Sequence, residues 1–382
     1  MIRIRRFFCF SLLTAVAFGQ VKTAPAPPPE TPTPVVSPEV HPDKSVTFRL
    51  KDPNAKSVLL RLEGQSKAIG MEKDDQGIWS ATTAPLSSDY YGYSFVADGV
   101  GLIDPSNWLL KPNFMNPSSV VHVAGPASLP WELNDVPHGE VHHHFYHSAA
   151  AADDRDYYVY TPPGYDPRTK DPYPVLYLLH GYSDDASGWT AVGRANLILD
   201  NLIARGKAKP MIVVMPLGYG TMEILQRGGF RNMELRTRNF VKFREALLTE
   251  VMPQVESEYR ISKDRTSRAI AGLSMGGAES LLTGLNVPDK FAWIGAFSSG
   301  GIPDDYASVF PSLQSSTNAS LQQPRLLWIA CGTEDSLITA NRNLRTWLKS
   351  KGVMVTELET PGAHTWIVWR RNLVEFTSLL FR

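Results

Sequence analysis

Two patterns of hydrophobic and polar positions divide the sequence. Between residues 46 and 96, short alternating or aromatic-rich runs are separated by turns such as Asp74-Asp-Gln-Gly77. This arrangement is typical of an antiparallel β-sandwich of immunoglobulin-like type. From Arg155 onward, solidly apolar runs such as Tyr173–Leu179 and Met211–Met215 alternate with longer segments of helical character. That alternation predicts the α/β class: a mostly parallel sheet with helices on both faces.

The predicted domain organisation follows from these patterns and from the N-terminal composition. Residues 1–19 have the basic head and short apolar run of a signal peptide, with cleavage expected before Gln20. A Pro-rich linker over 20–42 precedes the sandwich at 43–124, and a second linker at 125–138 leads to the α/β domain at 139–382. We therefore expect an exported protein, periplasmic or extracellular, with no membrane span in the mature chain.

Composition and charge narrow the classes of function. Lys plus Arg number 38, as do Asp plus Glu, so the chain as a whole has no excess charge for binding nucleic acid or an anionic membrane. Of the two cysteines, Cys9 lies in the predicted signal peptide, which leaves Cys331 without an internal disulfide partner. The histidines of 142–144 suggest a metal site, but no carboxylate or cysteine spacing completes one, so structural histidines are expected.

The pattern with the most specific chemistry is Gly272-Leu-Ser-Met-Gly276, a G-x-S-x-G sequence. In a nucleophile elbow the serine occupies a tight turn between a strand and a helix, and the flanking glycines avoid a clash as the chain reverses direction. The apolar run Ala269–Ala271 and a helix predicted over Ala278–Leu285 provide that context. Ser274 is therefore the candidate nucleophile.

Two later strand ends carry side chains that suit a serine nucleophile. Asp335 follows the predicted strand Leu326–Ala330, and His364 follows the last predicted strand, so the chain order is Ser, Asp, His. The serine hydroxyl needs a base, which imidazole supplies, and a carboxylate on the other ring nitrogen fixes the tautomer. Glu334 is the alternative acid, although the shorter Asp335 suits a tight loop.

An early strand end is the expected source of an oxyanion donor. Leu178-Leu-His-Gly181 ends in a turn at the place where such folds supply one donor, and the amide after the nucleophile supplies the other. The predicted oxyanion hole therefore consists of the backbone N–H groups of Tyr182 and Met275. His180 is expected to brace the loop rather than to transfer protons.

These motifs, with Val214-Met-Pro216, Gly332-Thr-Glu-Asp335 and Gly362-Ala-His-Thr-Trp366, resemble the esterase D-type α/β-hydrolase family. That family includes the carbohydrate esterase family 1 feruloyl and acetylxylan esterases and the enterochelin esterases. The resemblance covers about residues 139–382 and implies a triad of Ser274, Asp335 and His364 that hydrolyses esters without a metal or other cofactor. The first domain more loosely resembles early-set modules related to carbohydrate-binding-module family 48.

The expected substrate is a feruloyl or other hydroxycinnamoyl ester of a plant cell-wall polysaccharide. Aromatic residues near the predicted cleft are candidates to stack on a planar acyl group: Trp189, Tyr219 and Trp366, beside Tyr182. In the alternative interpretation, the two tryptophans brace loops instead. Aromatic residues of the sandwich are candidates to stack on sugar rings, or to fill its core: Trp79, Trp108 and the tyrosines of 90–93.

Four alternatives remain open. An acyltransferase would use the same triad but would have to exclude water from the site. An acetylxylan esterase would use the same triad. An enterochelin-type siderophore esterase would need cationic groups for its catecholate substrate, for which a basic loop offers Arg227, Arg231, Arg236 and Arg238. A glycan-binding protein with a relic hydrolase domain is the non-enzymatic alternative, which the intact motifs disfavour.

Overall fold

The structure is a computed structural model that describes residues 34–313 and 323–382. The predicted signal peptide, and with it Cys9, lies outside the described residues, as does most of the first linker. Residues 35–382 group into one unit by their contacts, so the sandwich and the α/β region pack together. In the described ranges, no helix has the length and apolar character needed to cross a membrane.

Two antiparallel sheets form the N-terminal region. Their strands are β1 (Glu39–Val40), β2 (Val46–Lys51), β3 (Val58–Leu62), β4 (Ile69–Gly70), β5 (Glu72–Lys73), β6 (Ile78–Thr82), β7 (Asp89–Ala97), β8 (Val100–Leu102), β9 (Leu110–Lys111) and β10 (Ser118–Val123). The strand orders are β1-β2-β6-β5 and β4-β3-β7-β10-β9, with β8 paired to β7. Alternation along β3 buries Leu60 and Leu62 in a core shared with Phe48 of the other sheet, which confirms the predicted sandwich.

An eight-stranded sheet forms the second region. Its strands are β11 (Glu140–Ser148), β12 (Asp153–Thr161), β13 (Val175–Leu179), β14 (Ile212–Pro216), β15 (Arg268–Leu273), β16 (Trp293–Phe297), β17 (Leu326–Gly332) and β18 (Thr356–Thr360). Their order is β11-β12-β14-β13-β15-β16-β17-β18. β12 runs antiparallel to β11 and β14, and the other neighbours are parallel, so the prediction of a mostly parallel sheet is confirmed.

Helices cover both faces of this sheet. They are α1 (Gly188–Ala191), α2 (Ala195–Ala204), α3 (Met233–Ala246), α4 (Met252–Glu258), α5 (Met275–Gly284), α6 (Tyr306–Val309), α7 (Ile338–Ser350) and α8 (Trp366–Leu379). Leu176 and Leu178 of β13 point into the core with α2 and α8, whereas Val175, Tyr177 and Leu179 point into the core with α3, α4 and α7. All residues of β13 through β16 are buried because both faces are covered.

The helical segment from Met233 to Glu258 is not a continuous α-helix. A π-helical turn at Leu247–Val251 divides it into α3 and α4. Pro253 stands at the start of α4. Proline has no N–H for the regular helical hydrogen bond, and its ring crowds the preceding turn. A π-helical turn accommodates that residue without ending the helical path.

The histidine cluster lies on β11. His143 Nε2 is hydrogen-bonded to the Asp156 carboxylate at 2.8 Å, and His144 Nε2 to the Tyr259 hydroxyl at 2.6 Å. These contacts tie the outer strand β11 to β12 and to the end of α4. Among the described residues, no group of three or more His, Cys, Asp or Glu side chains is arranged to hold a metal ion.

Candidate active site

Ser274 occupies a strained turn between β15 and α5. Its backbone has φ 51° and ψ −114°, a region that residues with a Cβ rarely adopt and that costs free energy. A Cβ added at Gly272 would lie 2.5 Å from the carbonyl of Gly276, and one added at Gly276 would lie 2.5 Å from the carbonyl oxygen of His180. The glycines of the motif are therefore needed because the backbone passes too close for any side chain.

A chain of hydrogen bonds joins the three residues singled out at the strand ends. Ser274 Oγ lies 3.0 Å from His364 Nε2, and His364 Nδ1 lies 2.7 Å from Asp335 Oδ2. They come from the ends of β15, β17 and β18, three parallel strands of one sheet in which β16 separates β15 from β17. Strand ends of this kind meet along one edge of an α/β sheet, which explains how residues up to 90 positions apart come together.

Asp335 is buried at 2% exposure, whereas Glu334 is exposed. Burial raises the pKa of the Asp335 carboxyl, but the hydrogen bond and charge of His364 and the backbone N–H of Leu337 outweigh burial, so the pKa falls below its ordinary value. Asp335 therefore stays ionised. The structure brings it, and not Glu334, to the imidazole.

The loop after β13, Gly181–Asp184, lies beside the serine. A Cβ at Gly181 would lie 2.6 Å from the Leu273 side chain and 3.4 Å from Ser274 Cβ, so only glycine allows this approach. Within the described part of the chain, the N–H groups of Tyr182 and Met275 donate no hydrogen bond to another protein group. Met275 begins α5, where the first N–H groups have no acceptor in the helix. Both predicted donors are thus available.

His180 holds the base of this loop. The N–H of Gly218 donates to His180 Nε2 at 2.8 Å, so that nitrogen is an acceptor and Nδ1 carries the proton. Nδ1 then donates to the Gly181 carbonyl oxygen at 2.8 Å. Burial lowers the pKa of the imidazole, which keeps it neutral. These contacts agree with the bracing function expected for this residue.

The three aromatic residues expected to contact substrate lie in the protein core. Trp189 and Tyr219 are 0% exposed and Trp366 is 1% exposed, so no ring face is left for a ligand. The Trp189 indole donates to the Leu179 carbonyl at 2.9 Å and packs edge-on against Trp366, with centroids 5.1 Å apart. The Tyr219 hydroxyl donates to the Asp184 carbonyl at 2.9 Å. Their burial supports the alternative in which these rings brace the loops around Ser274.

Two residues near the site could not be identified from a sequence motif. Phe230 packs on Tyr182 with ring centroids 4.7 Å apart. Glu63 of the sandwich accepts a hydrogen bond from the Trp366 N–H at 2.8 Å, two residues after His364. Neither residue belongs to a recognisable local pattern, because each reaches the site through contacts between distant segments.

Comparisons with known proteins identify the family of this chain. Residues 148–379 match the sequence model of the family described as "Putative esterase". An endo-1,4-beta-xylanase/feruloyl esterase from Xylanibacter ruminicola is 30% identical over 353 residues, which cover 90% of this chain and 46% of that protein. The chain thus spans about half the length of this relative. An acetyl esterase from Caldicellulosiruptor saccharolyticus is 27% identical over 229 residues, 52% of this chain and 80% of the relative.

Solved structures show the same fold. A CE1 ferulic acid esterase from the anaerobic fungus Anaeromyces mucronatus aligns with a TM-score of 0.58 and 26% identity, over 67% of this chain and 96% of that one. The enterobactin esterase of Shigella flexneri aligns with a TM-score of 0.66 and 19% identity, over 87% and 92% of the two chains, a likeness of fold. Because the family match covers more than half of the sequence, this chain belongs to the esterase family.

Proposed function

We propose that the protein is a serine esterase that hydrolyses feruloyl or other hydroxycinnamoyl esters of plant cell-wall polysaccharide. The observation that carries the proposal is the hydrogen-bonded series from Ser274 through His364 to Asp335 at a nucleophile elbow. A serine held 3.0 Å from an imidazole that is itself held by a buried carboxylate has what acyl transfer requires.

The proposed cycle uses only side chains and amides already described. His364 Nε2 takes the proton of Ser274 as its oxygen attacks the ester carbonyl, and the N–H groups of Tyr182 and Met275 stabilise the oxyanion. His364 then protonates the leaving alcohol and activates water, which releases the acid and restores the serine. Asp335 fixes the imidazole tautomer and stabilises the imidazolium in both steps.

The proposed acyl site lies beside Ser274 Oγ. A Cβ at Gly300 would lie 3.9 Å from that oxygen and 2.8 Å from the Leu337 side chain. A Cβ at the next residue, Gly301, would lie 2.9 Å from the Phe230 ring, so two glycines without side chains separate the serine from an aromatic side chain. The glycines thus allow the Leu337 and Phe230 side chains to pack close to the serine, and an aromatic acyl group bound there can pack against Phe230.

Two of the comparisons support the acyl and alcohol classes. The relative from Xylanibacter ruminicola is named both a xylanase and a feruloyl esterase, and its similarity covers 90% of this chain, sandwich included. The fungal structure with 26% identity is a ferulic acid esterase. Export, which the N-terminal sequence predicts, would bring the enzyme to an extracellular polymer and remains part of the proposal.

A substrate panel tests the proposal. Methyl ferulate, acetylated xylan and a catecholate siderophore ester would be offered to the purified chain, to Ser274→Ala and to the exposed-serine control Ser257→Ala. We expect the highest kcat/KM on methyl ferulate, its loss in Ser274→Ala and its retention in Ser257→Ala. If acetylated xylan is the preferred substrate, the acyl group is acetyl and not hydroxycinnamoyl. If Ser274→Ala keeps full activity, Ser274 is not the nucleophile and the proposed mechanism is wrong.

A catecholate ester is the second candidate because of Arg236. Its side chain lies against Phe230, with the guanidinium 5.7 Å from the ring centroid, and its methylene would be 3.2 Å from a Cβ at Gly301. Arg238, by contrast, is paired with Glu223. A cation beside the proposed acyl site suits an anionic acyl group. If the siderophore ester is the best substrate and Arg236→Gln removes that preference, the function moves to siderophore hydrolysis.

A further inference from the structure

A cleft of about 850 Å³ joins the sandwich to His364 and is not explained by the triad or the acyl site. We call it the sandwich cleft. Its walls include His364 and Thr365 on one side and, on the other, residues of β3, β7 and β10 with the loops around them. Because His364 must protonate the leaving alcohol, a space that opens at this residue is positioned to hold the alcohol part of an ester.

The floor of the sandwich cleft is the outer face of one sandwich sheet. Arg61 and Glu63 alternate with the buried residues Leu60 and Leu62 along β3 and its continuation, so they share the outward face. Neighbouring floor positions carry no large side chain, since they are Gly92, Ser94, Gly101 and Ser118. The floor is therefore open and polar, whereas two exposed apolar side chains, Ile103 and Met115, line other parts of the cleft.

Three cations line the sandwich cleft: Arg61, Lys67 and Lys111. None of them forms an ion pair with a carboxylate of the described residues, and the only carboxylate among the lining residues is Glu63. Both Glu63 oxygens already accept backbone N–H groups, from Gly92 and Trp366, each at 2.8 Å. The cleft therefore presents more positive than negative charge to an occupant, although the chain as a whole is neutral.

The three cations of the sandwich cleft come from different segments of the sandwich: β3, β9 and the loop between β3 and β4. The point where a Gly92 Cβ would stand is 3.1 Å from Glu63 Oε2 and 3.6 Å from Lys111 Cδ, so Lys111 lies beside Glu63 at the His364 end. Arg61 is two residues further along the strand, roughly 7 Å away at the usual rise per residue. Lys67 lies in the loop beyond β3.

From this geometry we infer that the sandwich cleft binds the alcohol part of the substrate, and that this alcohol is a saccharide carrying a carboxylate. Hydroxyl groups suit the open polar floor, and a uronate carboxylate suits the unpaired cations. The inference rests on the proposed ester hydrolysis and adds the substrate class that the leaving-group side selects. In this inference, hydrogen bonds and charge recognise the saccharide.

The aromatic side chains of the sandwich do not offer an alternative platform in this cleft. Trp79 is 7% exposed, and its indole donates to the Asp52 carbonyl at 2.9 Å. Tyr90, Tyr91 and Tyr93 are buried. Trp108 is 89% exposed but does not line the cleft. Stacking on a sugar ring is therefore not what the cleft provides.

Binding to the inactive Ser274→Ala chain tests the inference without any ester. The two ligands are a xylo-oligosaccharide with one glucuronosyl substituent and the same compound with that carboxyl reduced to an alcohol. By calorimetry at low salt we expect the acidic ligand to bind about tenfold more tightly, and the advantage to shrink at high salt. Equal affinity for the two ligands, or no binding of either, would overturn the inference.

Charge variants of the sandwich cleft test where the ligand carboxylate binds. In the double variant Arg61→Gln, Lys67→Gln, the affinity ratio of the two ligands is expected to fall toward one. The double variant Lys51→Gln, Lys73→Gln, a matched loss of two charges on the other sheet of the sandwich, is expected to keep the ratio of the wild-type chain. A ratio that survives the Arg61→Gln, Lys67→Gln double variant would place the carboxylate elsewhere and overturn the assignment. Failure to hydrolyse methyl ferulate would instead count against the proposed acyl group, since these binding ratios do not depend on it.

Discussion

The carboxylate of Glu63 accepts the backbone N–H of Trp366, the first residue of α8, at 2.8 Å. The two residues are 303 positions apart, one in the sandwich and one in the α/β domain. A carboxylate is favoured at a helix N-terminus, where free N–H groups and the helix dipole meet it. Since His364 precedes this helix by two residues, the sandwich helps to position the candidate catalytic base.

Glu63→Ala should therefore impair turnover more than substrate binding. We expect kcat on methyl ferulate to fall about tenfold, because small displacements of a catalytic group are costly. Steady-state kinetics would separate kcat from KM. Glu72→Ala, an exposed carboxylate on the other sheet, is the control. A lower Tm with kcat unchanged would mean that the contact serves stability alone.

Asp335→Asn tests which acid orients the imidazole. The neutral amide cannot stabilise the imidazolium as a carboxylate does, and an amide NH2 that faces Nδ1 favours the wrong imidazole tautomer, so we expect kcat to fall by about 10³- to 10⁴-fold. Glu334→Gln, one residue earlier and exposed, should retain activity. Hydrolysis of methyl ferulate by both purified variants would measure this. If Glu334→Gln loses more activity than Asp335→Asn, then Glu334 and not Asp335 is the acid that orients the imidazole.

The sheet and the meeting of Ser274, Asp335 and His364 follow from local signals in the sequence. Buried parallel strands read as continuous apolar runs, and residues directly after such strands meet at one edge of the sheet. Sequence alone does not tell which way an aromatic side chain beside the cleft will turn. Trp189 and Trp366 are in the core because they pack on each other, a contact between segments that no local pattern encodes.

The contacts between the two domains were also not predictable from the sequence, except for one signal at Arg370. Arg370 falls on the apolar face of α8, in register with Trp366, Leu373 and Phe376. A charged residue in an apolar helical stripe implies a buried partner. That signal was present in the sequence, but the identity of the partner, Asp89 of β7, depends on tertiary packing.

The Asp89–Arg370 pair should contribute strongly to stability. Both side chains are 0% exposed, and two guanidinium nitrogens donate to Asp89 Oδ1 at 3.0 and 2.7 Å. Asp89→Ala leaves a buried cation without its partner, so we expect a loss of about 3–5 kcal/mol in the free energy of unfolding, measured in urea. Asp75→Ala, which is exposed, is the control. The double variant Asp89→Leu, Arg370→Met should recover part of the loss; if it is no better than Asp89→Ala, an unpaired charge is not the cause.

Cys331 should be unreactive in the native protein. It is fully buried in β17, and burial together with the charge of Asp335 raises the pKa of its thiol to about 12. The thiolate is the reactive form, and at pH near 8 it is scarcely populated at such a pKa. Iodoacetamide should label Cys331 only in urea, as read by peptide mass spectrometry. An exposed cysteine introduced by Thr249→Cys should be labelled under native conditions, and native labelling of Cys331 at a similar rate would contradict the prediction.

Glu279 of α5 should make stability fall as pH rises. The side chain is 1% exposed, and neither carboxyl oxygen has a hydrogen-bond partner among the described residues. Burial raises the pKa of this carboxyl well above its ordinary value, against a smaller opposing effect of Arg155. The folded protein therefore keeps the proton after the unfolded chain has lost it.

The sign follows from proton linkage. Above the ordinary pKa of Glu, the unfolded state binds fewer protons than the folded state, so the free energy of unfolding decreases by roughly 1.4 kcal/mol per pH unit until the raised pKa is reached. Glu279→Gln stays neutral and does not incur this loss. We expect its stability relative to wild type to be greater at pH 8 than at pH 5 in urea denaturation, with exposed Glu245→Gln as the control. An effect of Glu279→Gln that is the same at both pH values would show that the buried carboxyl is already ionised in the folded protein.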